Sequence, residues 1–307
     1  MKQLTYCPVC NSGAIQFQYE GRTNRRPDDP ATWRVFKCET CSHGFMNPQP
    51  SWEELAAYYV EDYDPYVKNH GSDAEDDAKT VAIAKQTGEF RHLPLPAGKR
   101  VLDVGCGAGW FLRIAKQLGA ETFGIEPSEF GARNSRAAGI DVFNGTVEDY
   151  LQSQGNDRRF DVITANHVIE HAPDPVKTLQ GMRSLLAPGG LLWMSVPNAA
   201  SHFSRALGGE WHSADLPYHL QQFSLKSLSF AGDQAGLKTR RQYTYSLPAA
   251  TAASLRFLLR RRYLVPQRLT LKISLLNGGY ASAVAARHDK NLEGEAIIGE
   301  FVANSPQ

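Results

Sequence analysis

From Lys99 to Val196 the chain repeats one unit, a short apolar stretch followed by a stretch of helical pattern, and few architectures accept that rhythm. Val101–Val104, Thr122–Ile125, Ile140–Phe143, Phe160–Ala165 and Leu191–Val196 are apolar runs of strand length. Between them Ala108–Leu118, Ser128–Ala138, a stretch from about Val147 and Pro175–Leu186 read as helices. Gly119 ends the first, Gly139 the second, and Ala187-Pro188-Gly189-Gly190 closes the last. Such alternation implies a parallel sheet with helices on both faces. The strands are continuously apolar, as burial on both faces requires. Beyond Pro197, Ser224–Ala235 and the basic stretch Thr251–Tyr263 read as helices, and Leu237–Tyr245 and Glu295–Val302 as strands.

The turn after the first of these strands, Asp103-Val104-Gly105-Cys106-Gly107-Ala108-Gly109, opens the first helix. Glycines there let the backbone turn tightly and approach a ligand at the helix N-terminus. A dinucleotide site needs Gly-x-Gly-x-x-Gly/Ala, and counting from Gly105 that third position is Trp110. Four further elements follow in order: Gly124-Ile125-Glu126-Pro127-Ser128, Gly145-Thr146-Val147-Glu148-Asp149, Phe160 to His171, and Leu186 to Leu191. Over about residues 80–245 the set resembles the class I S-adenosylmethionine-dependent methyltransferases. The resemblance implies a doubly wound, mostly parallel seven-stranded α/β sheet whose last strand is antiparallel. It implies S-adenosylmethionine as cofactor, with Asp103 at its methionine end and Gly105, Cys106, Gly107 and Gly109 against it. Glu126, with Pro127 and Ser128, would take the ribose, and Thr146, Val147 and Glu148 the adenine. Asn166 and His167 would line the methyl end, and Tyr63 and Tyr66 would close over it as a lid. Cys106 is small enough to be a packing residue rather than a nucleophile.

Cys7-Pro8-Val9-Cys10 and Cys38-Glu39-Thr40-Cys41 form two knuckles, with Gly13 and Gly44 after them at turn positions. Four thiolates at such spacing suit a tetrahedral structural zinc site with no open position for chemistry. A ribbon this small needs metal to fold. His43 is expected as an exposed bystander rather than a ligand. The domains expected are a zinc ribbon over 1–50, a helical linker or lid over 51–95, and the methyltransferase domain over 96–307. Acceptor-site and basic-helix segments fall at about 200–290 within it.

Two histidines are candidates for base catalysis, since imidazole titrates near neutrality. His171 follows the fourth strand, at the edge where open α/β sheets bind ligands. His219 lies in Pro217-Tyr218-His219-Leu220-Gln221-Gln222-Phe223-Ser224, which resembles a stretch of ribbon-bearing bacterial methyltransferases associated with sugars and polysaccharides. That resemblance implies methylation, on oxygen, of a small-molecule or glycan acceptor. The Pro-Leu-Ala-Asn run of sugar C-methyltransferases is replaced here by Phe45-Met46-Asn47-Pro48. An RNA methyltransferase using the ribbon as a grip is the competing reading, and a non-catalytic cofactor-binding scaffold a third. A net charge of +1 withholds the basic surface that nucleic acid needs. Arg256 and Arg260 to Arg262 interleave with leucines and would allow a peripheral membrane contact, but no run reaches the ~18 apolar residues of a span. The opening residues carry no apolar export segment, so a cytoplasmic protein is expected.

Overall fold

The computed structural model describes residues 1–23, 25–26, 28–56, 58, 74–155, 157–264, 269 and 278–304, with only the backbone of 56, 74, 257, 260–263 and 278. Tyr63 and Tyr66 lie outside the described residues. The N-terminal strands β1 (Ile15–Gly21), β2 (Trp33–Cys38) and β3 (Gly44–Met46) pair antiparallel. Helices α1 (Trp52–Ala56) and α2 (Ala74–Thr87) follow, then the small hairpin β4 (Glu89–Phe90) and β5 (Leu93–Pro94). The expected alternation then appears: β6 (Arg100–Val104), α3 (Trp110–Gln117), β7 (Glu121–Glu126), α4 (Glu129–Ala137), β8 (Val142–Asn144), α5 (Val147–Gln154), β9 (Phe160–Asn166), α6 (Pro175–Ser184) and β10 (Leu186–Pro197). The C-terminal part adds α7 (His202–Leu207), β11 (Gln221–Gln222), α8 (Leu225–Gln234), β12 (Leu237–Tyr245), α9 (Pro248–Tyr263), α10 (Gly278–Lys290) and β13 (Ala296–Ala303).

Local chemistry explains the helix starts. The Ser128, Thr146 and Ser224 hydroxyls each cap the helix that follows, accepting from a backbone N–H three residues on. The α6 boundary departs from expectation. The helix stops at Ser184 and Leu186 already belongs to β10, because the Phe160 N–H donates to the Leu185 carbonyl at 2.9 Å. Ala187–Gly190 therefore sits in an irregular strand opening rather than in a helix-closing turn.

The large sheet has the order β12-β13-β10-β9-β6-β7-β8, and only β13 runs against the rest. Neighbouring residues Val101 and Leu102, Trp193 and Met194, and Ile297 and Ile298 send side chains into two different cores, one on each face. The first core is continuous with Cys7, Val9, Cys38, Cys41 and Phe45 of the ribbon. The ribbon sheet is itself completed by β11, in the order β1-β2-β3-β11. A third core, around Trp33, Met46, Phe203, Trp211 and Leu220, fills the angle between ribbon and C-terminal part. Among the described residues no helix is long and apolar enough to cross a membrane.

Candidate active site

Strand β6 stands at the reversal of strand order, between β7 and β9, where an open α/β sheet leaves a crevice. Its register sets Asp103 beside Gly124 and Thr164. The chain then turns through Gly105 at φ 68°, whose N–H donates to the Ile125 carbonyl at 2.7 Å. A Cβ at Gly105 would come within 2.7 Å of Val168 Cγ2, so the loop after β9 is pressed directly on the glycine loop. Gly109 caps α3 at φ 79°, where a side chain would be strained and would collide with Ser135.

Two buried carboxylates flank this loop. Asp103 accepts from the Thr164 hydroxyl at 2.6 Å. Burial pushes it up to about 6, with that hydrogen bond and the Arg91 charge opposing. Glu126, at the end of β7, accepts from the Gly107 N–H at 2.7 Å and the Ser128 N–H at 2.8 Å, and burial raises its pKa too. Each of its oxygens keeps further acceptor capacity. Cys106 turns its side chain inward against Gly124, and burial pushes the thiol well up, which leaves it inert. After β8, Thr146 caps α5, Val147 is buried against Gly181, and Glu148 accepts from the Thr178 hydroxyl at 2.7 Å. The side chains of these three serve the fold.

The loop after β9 starts at Asn166 and passes through His167 at φ 56°. The exposed His167 donates from Nδ1 to Glu170 Oε1 at 2.9 Å, while Glu170 Oε2 is buried with no hydrogen-bond partner. The His167 contact and the charges of His219 and His171 hold the Glu170 carboxyl down at about 2 against its burial. His171 donates from Nδ1 to the Tyr218 carbonyl at 2.8 Å, and His219 from Nδ1 to the Ser213 carbonyl at 2.9 Å. A carbonyl can only accept, so both rings carry a proton on Nδ1. The rings stand 4.8 Å apart. Burial and the neighbouring His219 push His171 down to about 4. Glu170, His171 and His219 bring ligand atoms within 4.8 Å of one another, so the two histidines separated in sequence meet at one place. Asp215 stands with Oδ2 3.7 Å from His219 Nε2. His212 lies further along the same loop, 3.6 Å from Glu295.

The four ribbon cysteines also converge within 4.8 Å, with Cys7 and Cys41 sulfurs 3.6 Å apart and Cys10 and Cys38 3.4 Å apart. Tetrahedral zinc thiolates lie about 3.8 Å from one another, so the donor set fits that ion. His43 corrects expectation. It is fully buried, packed 4.8 Å from the Phe223 ring, and donates from Nε2 to Gln221 at 2.9 Å. Burial pushes it down to about 4. Gln221 in turn donates to the Ala172 carbonyl at 2.9 Å. The ribbon thus reaches the chain just after each of the two histidines. Glu170, Gln221 and Asp215 went unnoticed as site residues in the sequence. The signal for Glu170 was its place beside His171, and for Asp215 its place in the loop leading to His219.

Comparison with known proteins agrees with this architecture. The methyltransferase-domain family matches residues 81–242. A ubiquinone biosynthesis O-methyltransferase of Actinobacillus pleuropneumoniae serotype 7 is 35% identical over 136 residues, covering 41% of this chain and 58% of that one. Its counterpart in Acinetobacter baylyi is 30% identical over 157 residues, covering 47% and 65%. The chain therefore spans less than two thirds of the length of these relatives. An S-adenosylmethionine-dependent methyltransferase structure from Thermotoga maritima superposes with a TM-score of 0.48 at 18% identity, covering 81% of this chain and 97% of that one. With more than half of its length matched to the family, and with the sheet order and glycine loop described above, the chain belongs to the class I S-adenosylmethionine-dependent methyltransferases.

Proposed function

We propose that this protein transfers a methyl group from S-adenosylmethionine to a hydroxyl of a small-molecule acceptor, phenolic or sugar. The observation that carries the reading is the loop after β9, which presses Val168 onto the glycine loop and carries His171 to within 4.8 Å of His219. Donor cradle and candidate base thereby share one crevice. The names of the ubiquinone-pathway relatives support oxygen as the acceptor atom.

The residues present fit the donor. Asp103 would face its cationic end, the Gly105–Gly109 backbone would pack against it, and Glu126 would accept from ribose hydroxyls. When bound, the donor supplies an electrophilic methyl on a sulfonium. His219 is the better base of the two histidines. Its Nε2 faces the Asp215 carboxylate, which stabilises the imidazolium formed when the acceptor hydroxyl gives up its proton. His171, held down at about 4, stays neutral and positions the Tyr218 carbonyl. The test is a donor-product assay over phenols, nucleotide sugars, glycans and RNA. Methylation of RNA alone, or of nothing, would sink the reading. His219→Ala should cost at least about a hundredfold in kcat, and undiminished turnover would remove His219 as base.

Cofactor affinity should depend on pH through Asp103. The donor's cationic end favours the ionised carboxyl, and the free group titrates near 6. Affinity should therefore be level above pH 6 and fall by about tenfold per unit below it. Calorimetry across that range checks this. Asp103→Asn should bind more weakly and remove the pH dependence, and a native profile that stays flat down to pH 5 would contradict the assignment.

A further inference from the structure

We propose that Arg25, carried by the ribbon, is a positioning residue of the acceptor site, and that it acts through Asp215 on His219. This rests on His219 being the base, and it names what sets that base.

Arg25 and Asp215 are 190 residues apart in sequence. The guanidinium grips the carboxylate as a fork. Nε donates to Oδ1 at 2.9 Å and Nη2 to Oδ2 at 2.6 Å. Asp215 is 6% exposed and sits at φ 40°, a backbone region that a residue other than glycine enters only when its surroundings hold it there. The same oxygen that takes Nη2 lies 3.7 Å from His219 Nε2, and the Asp215 carbonyl accepts the His219 N–H at 3.0 Å. One acidic residue therefore touches both the backbone and the reactive edge of the base. The Arg25 guanidinium also lies 4.9 Å over the Tyr218 ring, and the Tyr218 carbonyl holds His171. A planar fork that is always charged suits this place better than a lysine would.

Two opposed charges thus face His219 in series. Asp215 favours the protonated ring, and Arg25 offsets part of that charge while fixing where it sits. Among the described residues, the other ionisable groups facing the ring are His212 on its own loop and Glu170 and His171 after β9. None of them comes from the ribbon, so Arg25 is the ribbon's own electrical contact with the site.

The test follows the His219 ring in the full-length protein, labelled with 13C at histidine Cε1, by NMR titration. The His219 resonance is identified by its loss in His219→Ala. No acceptor is needed. Arg25→Met should raise the titration midpoint by about half a pH unit, because Asp215 then faces the ring unopposed. Asp215→Asn should lower it by about one unit. Arg25→Lys, which keeps the charge and loses the fork, should fall between Arg25→Met and the native protein. The acid limb of kcat/KM should move with each midpoint. Cofactor-product affinity should stay at the native value throughout, which checks the fold. If Arg25→Met does not fold, Arg25→Lys and Asp215→Asn still oppose each other in sign. Midpoints that do not move, or that move in the same direction, overturn the proposal, since a merely structural arginine would give that result. Undiminished turnover in His219→Ala removes the base and overturns the proposal with it, whereas loss of turnover in His219→Ala with unmoved midpoints overturns the proposal alone.

Discussion

Stripping the metal from the four-cysteine site should abolish acceptor turnover while leaving the cofactor cradle competent. The ribbon's strands are short, and its buried apolar residues, among them Val9, Val35, Phe45 and Met46, belong to cores shared with the rest of the chain rather than to one of its own. A zinc ion at the four cysteines would hold a module of that size together, its binding being worth about 10–16 kcal/mol in isolated zinc modules. The consequence travels along defined contacts. Strand β3 pairs with β11, the Met46 N–H donates to the Leu220 carbonyl at 2.8 Å, and His43 holds Gln221. Those contacts hold the chain directly after His219, and Gln221 braces the segment just after His171. An ångström of misplacement can cost about a hundredfold in rate, so kcat/KM should fall by at least that. The Asp103, Gly107 and Glu126 contacts are made within β6, β7, β9 and their loops, so calorimetric affinity for S-adenosylhomocysteine should change by no more than about threefold. Metal analysis should find one zinc per native chain. Freshly purified protein that lacks zinc yet keeps full turnover would refute this picture. Cys38→Ser should reproduce the chelated state.

Glu126→Ala should produce the opposite split, with an acceptor site intact and a cofactor site lost. The carboxylate accepts two backbone N–H groups, from Gly107 and Ser128, and so ties the glycine loop to the end of β7. Hydrogen bonds to a charged group contribute about 1.5–3 kcal/mol each. Losing the tie together with the ribose contacts proposed for this carboxylate should weaken cofactor binding by about a hundredfold or more. Global stability should change little, because the lost bonds are offset by relief of a buried charge. Glu126→Gln keeps one acceptor oxygen and should lose less. Native cofactor affinity in Glu126→Ala would remove this residue from the site. Intact ribbon contacts should leave the His171 and His219 arrangement as it is.

Much of the sheet was legible because its determinants are local. The caps Ser128, Thr146 and Ser224 act over three residues, and the apolar runs announce strands wherever they pair. The glycine loop was legible for the same reason, since its turn requires glycine at Gly105 and Gly109 whatever lies around it. The α6 boundary was misplaced because its end is decided by the Phe160 amide, part of a strand already laid down. His43 was expected at the surface because nothing near it in sequence foretells the Phe223 ring or the Gln221 side chain, 178 residues away.

Sequence alone determined the α/β alternation, the cofactor loop and the two cysteine knuckles, because each depends on neighbours within a turn or two of chain. Tertiary structure alone decided that His171 and His219 share one place, that each donates from Nδ1 to a backbone carbonyl, and that the ribbon meets the chain around His219 through Arg25 and β11. Those outcomes depend on hydrogen bonds and charges that become neighbours only after the chain has closed on itself, and no local pattern encodes a contact made across 190 residues.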